Sequence, residues 1–589
     1  MNLAVPMVLL ITCATLTMVT SQHRPPCPAT CQCPSQYYIY CPASGITDQQ
    51  LADVISRVSP SAVLLDLNFN NITRILGNSF TSLPNLEYLY LSANNITELN
   101  DNAFLGLSKL RELTLNDNKM SVVSSRCFND LSRLKDLNME KNLLQSLPEG
   151  LFRNTTSLEK LQLQSNRITA LLPNQFSGLT QLRLLNLSHN SLTSLVEFSF
   201  SGLRSVTQLS LVNNSLSQFS VNAFDGLTNL QELYLDNNNI YDLVFMHRND
   251  FYLSLNLVSL ADNYIEYIPS HVFPHNANVK QIDLSGNQIR RIGGHSFNGL
   301  HLESMNLQNN SISEVNKDMF RDARRISHLN LRQNKIRDIS TGAFDSIRDN
   351  IILLDLQLNQ LSFLHPGMFR GMRRLRTLNL AGNSISDITS GVFKDLEELQ
   401  ELNLSMNLFT VLSSGMISGP RALRRLLVVC NPLQKLVGFS YEDVNDRIFI
   451  ESNSTIVSST STSVLITWPY KEGSQLYWTL SINCVNHVAC EVPPYDSTLR
   501  PYIGQVVVTG LRPGAEYVIC VSPVFLSSEV NVSQCVHART QLDFVSDFRH
   551  STDPGTQSSN SSNKSPSFTF ITVYHVIIVI IAHSIMHNY

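Results

Sequence analysis

The chain has 589 residues, 43% of them apolar and 15% charged, long enough for several separate cores. A formal net charge of −4 and a pI near 6.4 leave no basic footprint, which excludes nucleic acid as a partner. Of the eleven cysteines, eight gather in two clusters, one near each end of the chain.

Residues 1–21 read as a signal peptide. Leu3 to Val19 is almost free of charge, and Val19-Thr20-Ser21 offers small residues for cleavage. A retained anchor is the alternative. Entry into the secretory pathway would give meaning to the Asn-x-Ser/Thr sequons, whose candidate glycan carriers are Asn71, Asn95, Asn154, Asn186, Asn213, Asn309, Asn403, Asn453 and Asn531.

Residues 22–60 contain Cys27, Cys31, Cys33 and Cys41. Four cysteines permit three pairings, and the sequence alone does not choose among them. In an oxidising compartment a disulfide knot is favoured over a zinc site.

From 61 to 433 the chain writes LxLxxN sixteen times, with asparagines from Asn70 to Asn431 and twelve of the fifteen intervals equal to 24 residues. A phenylalanine stands fourteen places before most of them, as in Phe80, Phe104 and Phe128. The period of two in Leu89-Tyr90-Leu91 points both leucines inward and Tyr90 outward. Each asparagine can bond backbone groups left over by the turn, and the rings should stack as a spine. No single turn can bury its leucines alone, so the stack is the core.

A fixed period of this length with this pattern is identified as a leucine-rich repeat. The Cys-x3-Cys-x-Cys-x7-Cys spacing before it resembles the N-terminal flanking cap of extracellular leucine-rich repeat proteins. That resemblance implies Cys27–Cys33 and Cys31–Cys41 bonds, which would seal the open end of the array. The fold class expected is an α/β solenoid, a leucine-rich repeat horseshoe with a parallel concave sheet, followed by a β-sandwich.

Two places break the pattern. The unit between Asn239 and Asn263 loses its phenylalanine register, with Phe245 and Phe251 on either side of the expected place. A hinge, a ligand-facing bulge and tolerated drift are the readings open there. Cys127 takes the small-residue slot filled by Ala103 and Ala223, and reads as a buried free thiol. At the far end Cys430-Asn431-Pro432-Leu433 resembles the start of a C-terminal cap, but the cap's further cysteines are missing. Residues 434–453 or the next domain must cover the last turn.

Over 454–540 the pattern becomes alternation with turns. Val464 to Trp468, Leu476 to Ile482 and Gln505 to Thr509 read as strands. Leu511-Arg512-Pro513-Gly514 leading to Tyr517 is a tyrosine-corner arrangement. With Trp468, it resembles a fibronectin type III domain. A Cys520–Cys535 bond would tie its last two strands, as in vertebrate neuronal adhesion proteins that combine the two modules. Cys484–Cys490 is then the remaining pair.

Residues 541–567 form a Ser-, Asn- and Thr-rich stalk, and 568–589 a hydrophobic tail followed by no Lys or Arg. Small residues at Asn560-Ser561-Ser562, a spacer and the tail match a glycosylphosphatidylinositol signal, with Asn560 as the attachment site. A single transmembrane helix is the alternative.

No catalytic or metal-binding motif occurs, so neither an enzyme nor a cofactor is expected. The histidines read as surface residues: His189 and His328 on outward strand positions, His271 and His295 in connecting loops. The candidate ligand face is the outward side of the strands, with Tyr88, Tyr90, Glu112, Asp136, Lys160, Glu232, Tyr234, His328 and Arg332. Glycans at Asn186 and Asn403 would leave open the first five turns and turns eight to fourteen. Arg321, Arg324, Arg325, Arg370, Arg373 and Arg374 make a stripe suited to sulfated polysaccharide, with Asp349, Asp395, Glu397 and Glu398 between them to mute its field. The resemblance implies a cell-surface adhesion protein or co-receptor recognising a protein partner, its own copy among the candidates. An innate-immune receptor for microbial ligands and a shed binding protein are the alternatives.

Overall fold

The computed structural model describes residues 27–438, except 221, 247–253, 274–277, 324, 429–430 and 432–434, together with the backbone of the strands between Thr455 and Arg539. The signal segment, the linker, the stalk with Asn560 and the tail lie outside the described residues, as do Trp468, Cys490, Asn453 and Asn531.

Sixteen three-residue strands, from Leu64–Asp66 to Arg425–Leu427, join a cap strand Tyr38–Tyr40 in one 17-stranded parallel sheet. Successive strands pair without slippage: Tyr88 stands opposite Glu112, Leu89 opposite Leu113, Tyr90 opposite Thr114. In almost every strand the middle residue is buried and its neighbours are not, so one face of the sheet is core and the other is open. Past the sheet, shorter parallel ladders such as Arg74–Ile75, Glu98–Leu99 and Val122–Val123 repeat the stacking.

Behind them runs the phenylalanine spine. Rings from Phe80 to Phe224 stack at centroid distances of 5.8 to 6.5 Å. In the irregular unit Phe245, in the short 3-10 turn Val244–Met246, is 4% exposed and packs on Phe219 and Phe224. Drift within the core is therefore what the described part of this unit shows. Phe251 lies outside the described residues.

Every turn is locked by its asparagine. Asn118 Nδ2 donates to the carbonyls of Leu91, Leu115 and Asn116, while its Oδ1 accepts the N–H of Ile96. The residue just before the asparagine takes a left-handed backbone in turn after turn: Phe69, Ala93, Asp117, Lys141 and His189 all have φ between 50° and 57°. That conformation is costly for a side chain, and the buried amide holds it in place. Gly286 and Gly382 occupy the same position with φ of 68° and 67° and relieve the cost there.

The expectation of an α/β solenoid needs correction. Among the described residues the only α-helix is Asp48–Arg57, in the N-terminal cap. The return limbs are turns, because left-handed residues such as Asn102 at φ 60° and Gly106 at φ 87° interrupt any helical run. The array is a parallel β-solenoid of sixteen turns.

The cap joins Cys27 to Cys33 and Cys31 to Cys41. Cys41 is fully buried, and Asp48 at the start of the cap helix accepts the backbone N–H of Thr73 at 2.6 Å, fastening cap to array. At the other end Lys435–Val437 pairs with Val411–Ser413.

The C-terminal strands form two antiparallel sheets. One holds Thr455–Ser459, Ser463–Thr467 and Gln505–Thr509; the other holds Thr498–Leu499, Tyr477–Cys484, Glu516–Val524 and Gln534–Arg539. In the second sheet Cys520 and Cys535 are opposite in register.

Candidate ligand-binding face

The alternation that buries the leucines decides which side chains meet solvent. Tyr88, Tyr90, Glu112, Asp136, Lys160, Glu232, Tyr234 and His328 all occupy outward strand positions. Arg332 sits two residues past its strand His328–Asn330, on the same side of the repeat motif, half-buried. His189 departs from expectation: it follows Leu184–Asn186, in the left-handed position that the turn requires. His271 and His295 lie on neighbouring turns with stacked rings, and His295 Nδ1 is 2.7 Å from Asp322 Oδ2.

At the N-terminal end the face becomes a tyrosine–carboxylate surface. Tyr88, Glu112, Asp136 and Lys160 form one row across four adjacent strands, and Lys160 reaches Asp136 at 3.5 Å. Tyr90 stands between Asp66 and Thr114 in the next row. Burial pushes the Tyr90 phenol up to about 12, helped by the charges of Glu112 and Asp66. Burial also raises the Glu112 carboxyl, Asp136 adding to the effect and Lys160 opposing it. A similar grouping recurs at turn eight, where Tyr234 donates to Glu232 at 3.0 Å. Burial again raises Tyr234, and it raises Asp236 beyond the strand.

Sequence reasoning missed part of this surface. Tyr38 and Tyr40 on the cap strand extend the tyrosines by one turn, Tyr40 lying opposite Asp66. A cap read only through its cysteines hides that, although Tyr38-Ile39-Tyr40 repeats the alternation of Tyr88-Leu89-Tyr90. Asp236 follows Leu235 and Glu140 follows Met139, the second inward residue of each motif, at a position that the three-residue strands do not include.

Sequons at Asn186 and Asn403 do fall on outward strand positions. Asn71 and Asn95 sit on neighbouring turns, with Asn95 Nδ2 donating to Asn71 Oδ1 at 2.6 Å. Asn213 and Asn309 are left-handed turn residues, and Asn154 is exposed on a return limb. Two arginines of the stripe are ion-paired, Arg321 to Asp318 at 3.5 Å and Arg373 to Glu397 at 3.6 Å, and Arg376 and Arg425 outside it pair with Glu398 and Glu401 at 3.4 and 3.7 Å. Arg324 lies outside the described residues. Among the described residues there is no group of three or more metal-ligating side chains, and no helix is long and apolar enough to cross a membrane. A cavity of about 530 Å³ lies between the cap helix and the following turn, lined by Leu51, Ile55, Arg74 and Leu76.

A stack of short parallel strands with an asparagine ladder, a phenylalanine spine and one open sheet face defines a repeat protein built around a large surface. The Leucine rich repeat family model matches ten overlapping segments, from 60–120 to 373–433, skipping only 241–253, the irregular unit. The chain belongs to the leucine-rich repeat family. It is similar to mouse Toll-like receptor 9, with 31% identity over 103 residues, which is 17% of this chain and 10% of the relative. It is equally similar to human leucine-rich repeats and immunoglobulin-like domains protein 1, 31% over 104 residues, or 17% and 9%. The matched stretch thus spans about a tenth of either relative. Among solved structures, a chain of the Drosophila Toll–Spatzle complex overlays with a TM-score of 0.58 at 23% identity, over 69% of this chain and 59% of that one. That likeness is one of fold.

Proposed function

We propose that this is an extracellular ligand-binding receptor or adhesion protein that takes a protein partner on its open sheet face. The observation that carries the reading is the sheet itself. From the first strand to Glu401–Asn403 the outward strand positions are half-buried or exposed, and only in the last strand is one of them, Leu427, buried. Tyrosines among polar side chains are the mixture enriched where proteins bind proteins. Two disulfides in the cap suit an oxidising compartment.

The C-terminal strands support a fibronectin type III-like module near the membrane. Three and four antiparallel strands would suit the two sheets of a small β-sandwich, and the Cys520–Cys535 register would suit a bond there. A glycosylphosphatidylinositol anchor at or near Asn560 remains part of this reading. Ion pairing of Arg321 and Arg373 mutes the arginine stripe and so counts against sulfated polysaccharide as the main ligand.

A glycan wedge tests the face. Glu112→Asn creates Asn-Leu-Thr at 112–114, inside an outward strand position. Glu197→Asn creates Asn-Phe-Ser at 197–199, on an exposed return limb. The purified chain is screened against displayed cell-surface proteins. Loss of the captured partner with the first wedge and retention with the second is the expected result. Equal retention with both would remove the sheet face from the reading.

A further inference from the structure

The first turns differ chemically from the rest of the sheet. The cap strand and the first four turns place Tyr38, Tyr40, Tyr88 and Tyr90 on one face with Asp66, Glu112, Asp136 and Glu140. No Lys or Arg occupies an outward strand position before Lys160 at turn five, and that amine is already held by Asp136 at 3.5 Å, while Arg111 and Lys135, one residue ahead of their strands, are paired with Glu87 at 3.2 Å and Glu159 at 2.6 Å. Adjacent strands lie about 4.8 Å apart, so a tyrosine face and a carboxylate alternate within the reach of a single long side chain. The register makes this explicit: Tyr88 neighbours Glu112, and Tyr40 and Tyr90 flank Asp66.

We infer that this surface docks a basic segment of a protein partner, its arginine or lysine side chains laid over Tyr88 and Tyr90 and paired with Glu112 and Asp66. The inference rests on the sheet face being the binding surface. Carboxylates alone would attract any cation. The tyrosines add what a small ion cannot use, ring faces that favour a flat guanidinium. Crowded carboxylates also repel one another, and an incoming cation relieves that repulsion as well as forming new bonds. Burial and the Asp136 charge already hold Glu112 above the ordinary carboxylate range, the electrostatic trace of this crowding. A sequon at Asn186 on turn six would place a glycan beside the surface and confine the partner to the first five turns.

The probe is an octa-arginine peptide, with octa-glutamate as its opposite, measured by fluorescence anisotropy against the full chain. Glu112→Gln combined with Asp66→Asn removes the two charges that the proposal pairs with the partner. Glu149→Gln combined with Glu197→Gln removes two exposed charges elsewhere. The expected result is that octa-arginine binds the native chain and octa-glutamate does not. Affinity should then fall at least about tenfold in the first variant and stay within about twofold in the second. Unchanged melting temperatures for both variants exclude misfolding as the cause. Equal weakening in the two variants would show general charge attraction and overturn the proposal, as would absence of binding to the native chain. If the Glu112→Asn wedge blocks the captured partner while the double neutralisation leaves octa-arginine binding intact, the face stands and the basic partner falls. If the wedge has no effect either, both fall.

Discussion

The ring of Phe245 lies against that of Phe219, centroids 4.3 Å apart and planes within 22°. Phe245 also meets Phe224 at 5.8 Å and is 4% exposed, so a residue out of register carries the spine into the irregular unit. Phe245→Ala should cost about 3–5 kcal/mol, the range for emptying an aromatic site in a core. Because a solenoid couples only neighbouring turns, the loss should also split the unfolding transition in urea. Tyr241→Ala, four residues away and 57% exposed, should stay within about 0.5 kcal/mol. A single transition with an unshifted midpoint for Phe245→Ala would show that this ring is dispensable.

The asparagine ladder makes a sharper demand. Asn118 serves three carbonyls and one N–H at once, all buried or nearly so. Asn118→Ala strands these groups, and each buried orphan costs about 1–3 kcal/mol. Asn118→Asp keeps the acceptor for Ile96 but turns a carboxylate toward carbonyl oxygens. Its folded pKa should rise above the unfolded value, so this variant should regain stability as pH falls. Thermal melts of the two variants at neutral and acid pH separate the effects. Parallel pH profiles would refute the assignment of donor and acceptor.

The period of 24 made the strands, the ladder and most of the spine legible, because each turn solves the same burial problem with the same residue types. Phe245 was less so, since no period marks a ring that moves four places and still reaches its neighbour. The α/β class was expected, and left-handed residues such as Asn102, a conformation that residue type does not announce, keep the return limbs from being helical. The face was legible as a row of outward positions. Tyr38 and Tyr40 escaped because cysteine spacing dominates the reading of that segment, and His189 lies three residues past the strand on which it was expected.

Cys127 is 2% exposed, and burial pushes its thiol well above the ordinary range. Both properties withhold the thiolate that alkylating reagents need. Iodoacetamide applied to the folded chain should leave the Cys127 peptide unmodified, and mass spectrometry after brief urea treatment should find it labelled. Cys127→Ala, matching Ala103 one turn earlier, should change stability by less than about 1.5 kcal/mol. Rapid labelling of the native chain would place that thiol outside the core.

Asp236 supplies the pH test of the face. Burial raises its carboxyl first of all, and Asp283 adds to this, while the Ser259 hydroxyl and the Ala261 N–H, at 2.8 Å, pull the other way. The folded value therefore lies above the unfolded one, near 3.9. Between the two the folded chain binds more protons, so stability falls as pH rises through that window and stays lower above it. Asp236→Asn keeps an acceptor for Ala261 and removes the charge. It should melt higher than the native chain at neutral pH, with the advantage vanishing below the unfolded carboxylate value. Asp355 is raised by burial too, but Arg332 opposes the shift, so Asp355→Asn forfeits an attraction and should gain less. A constant advantage of Asp236→Asn across pH would mean that packing, rather than charge, separates it from the native chain.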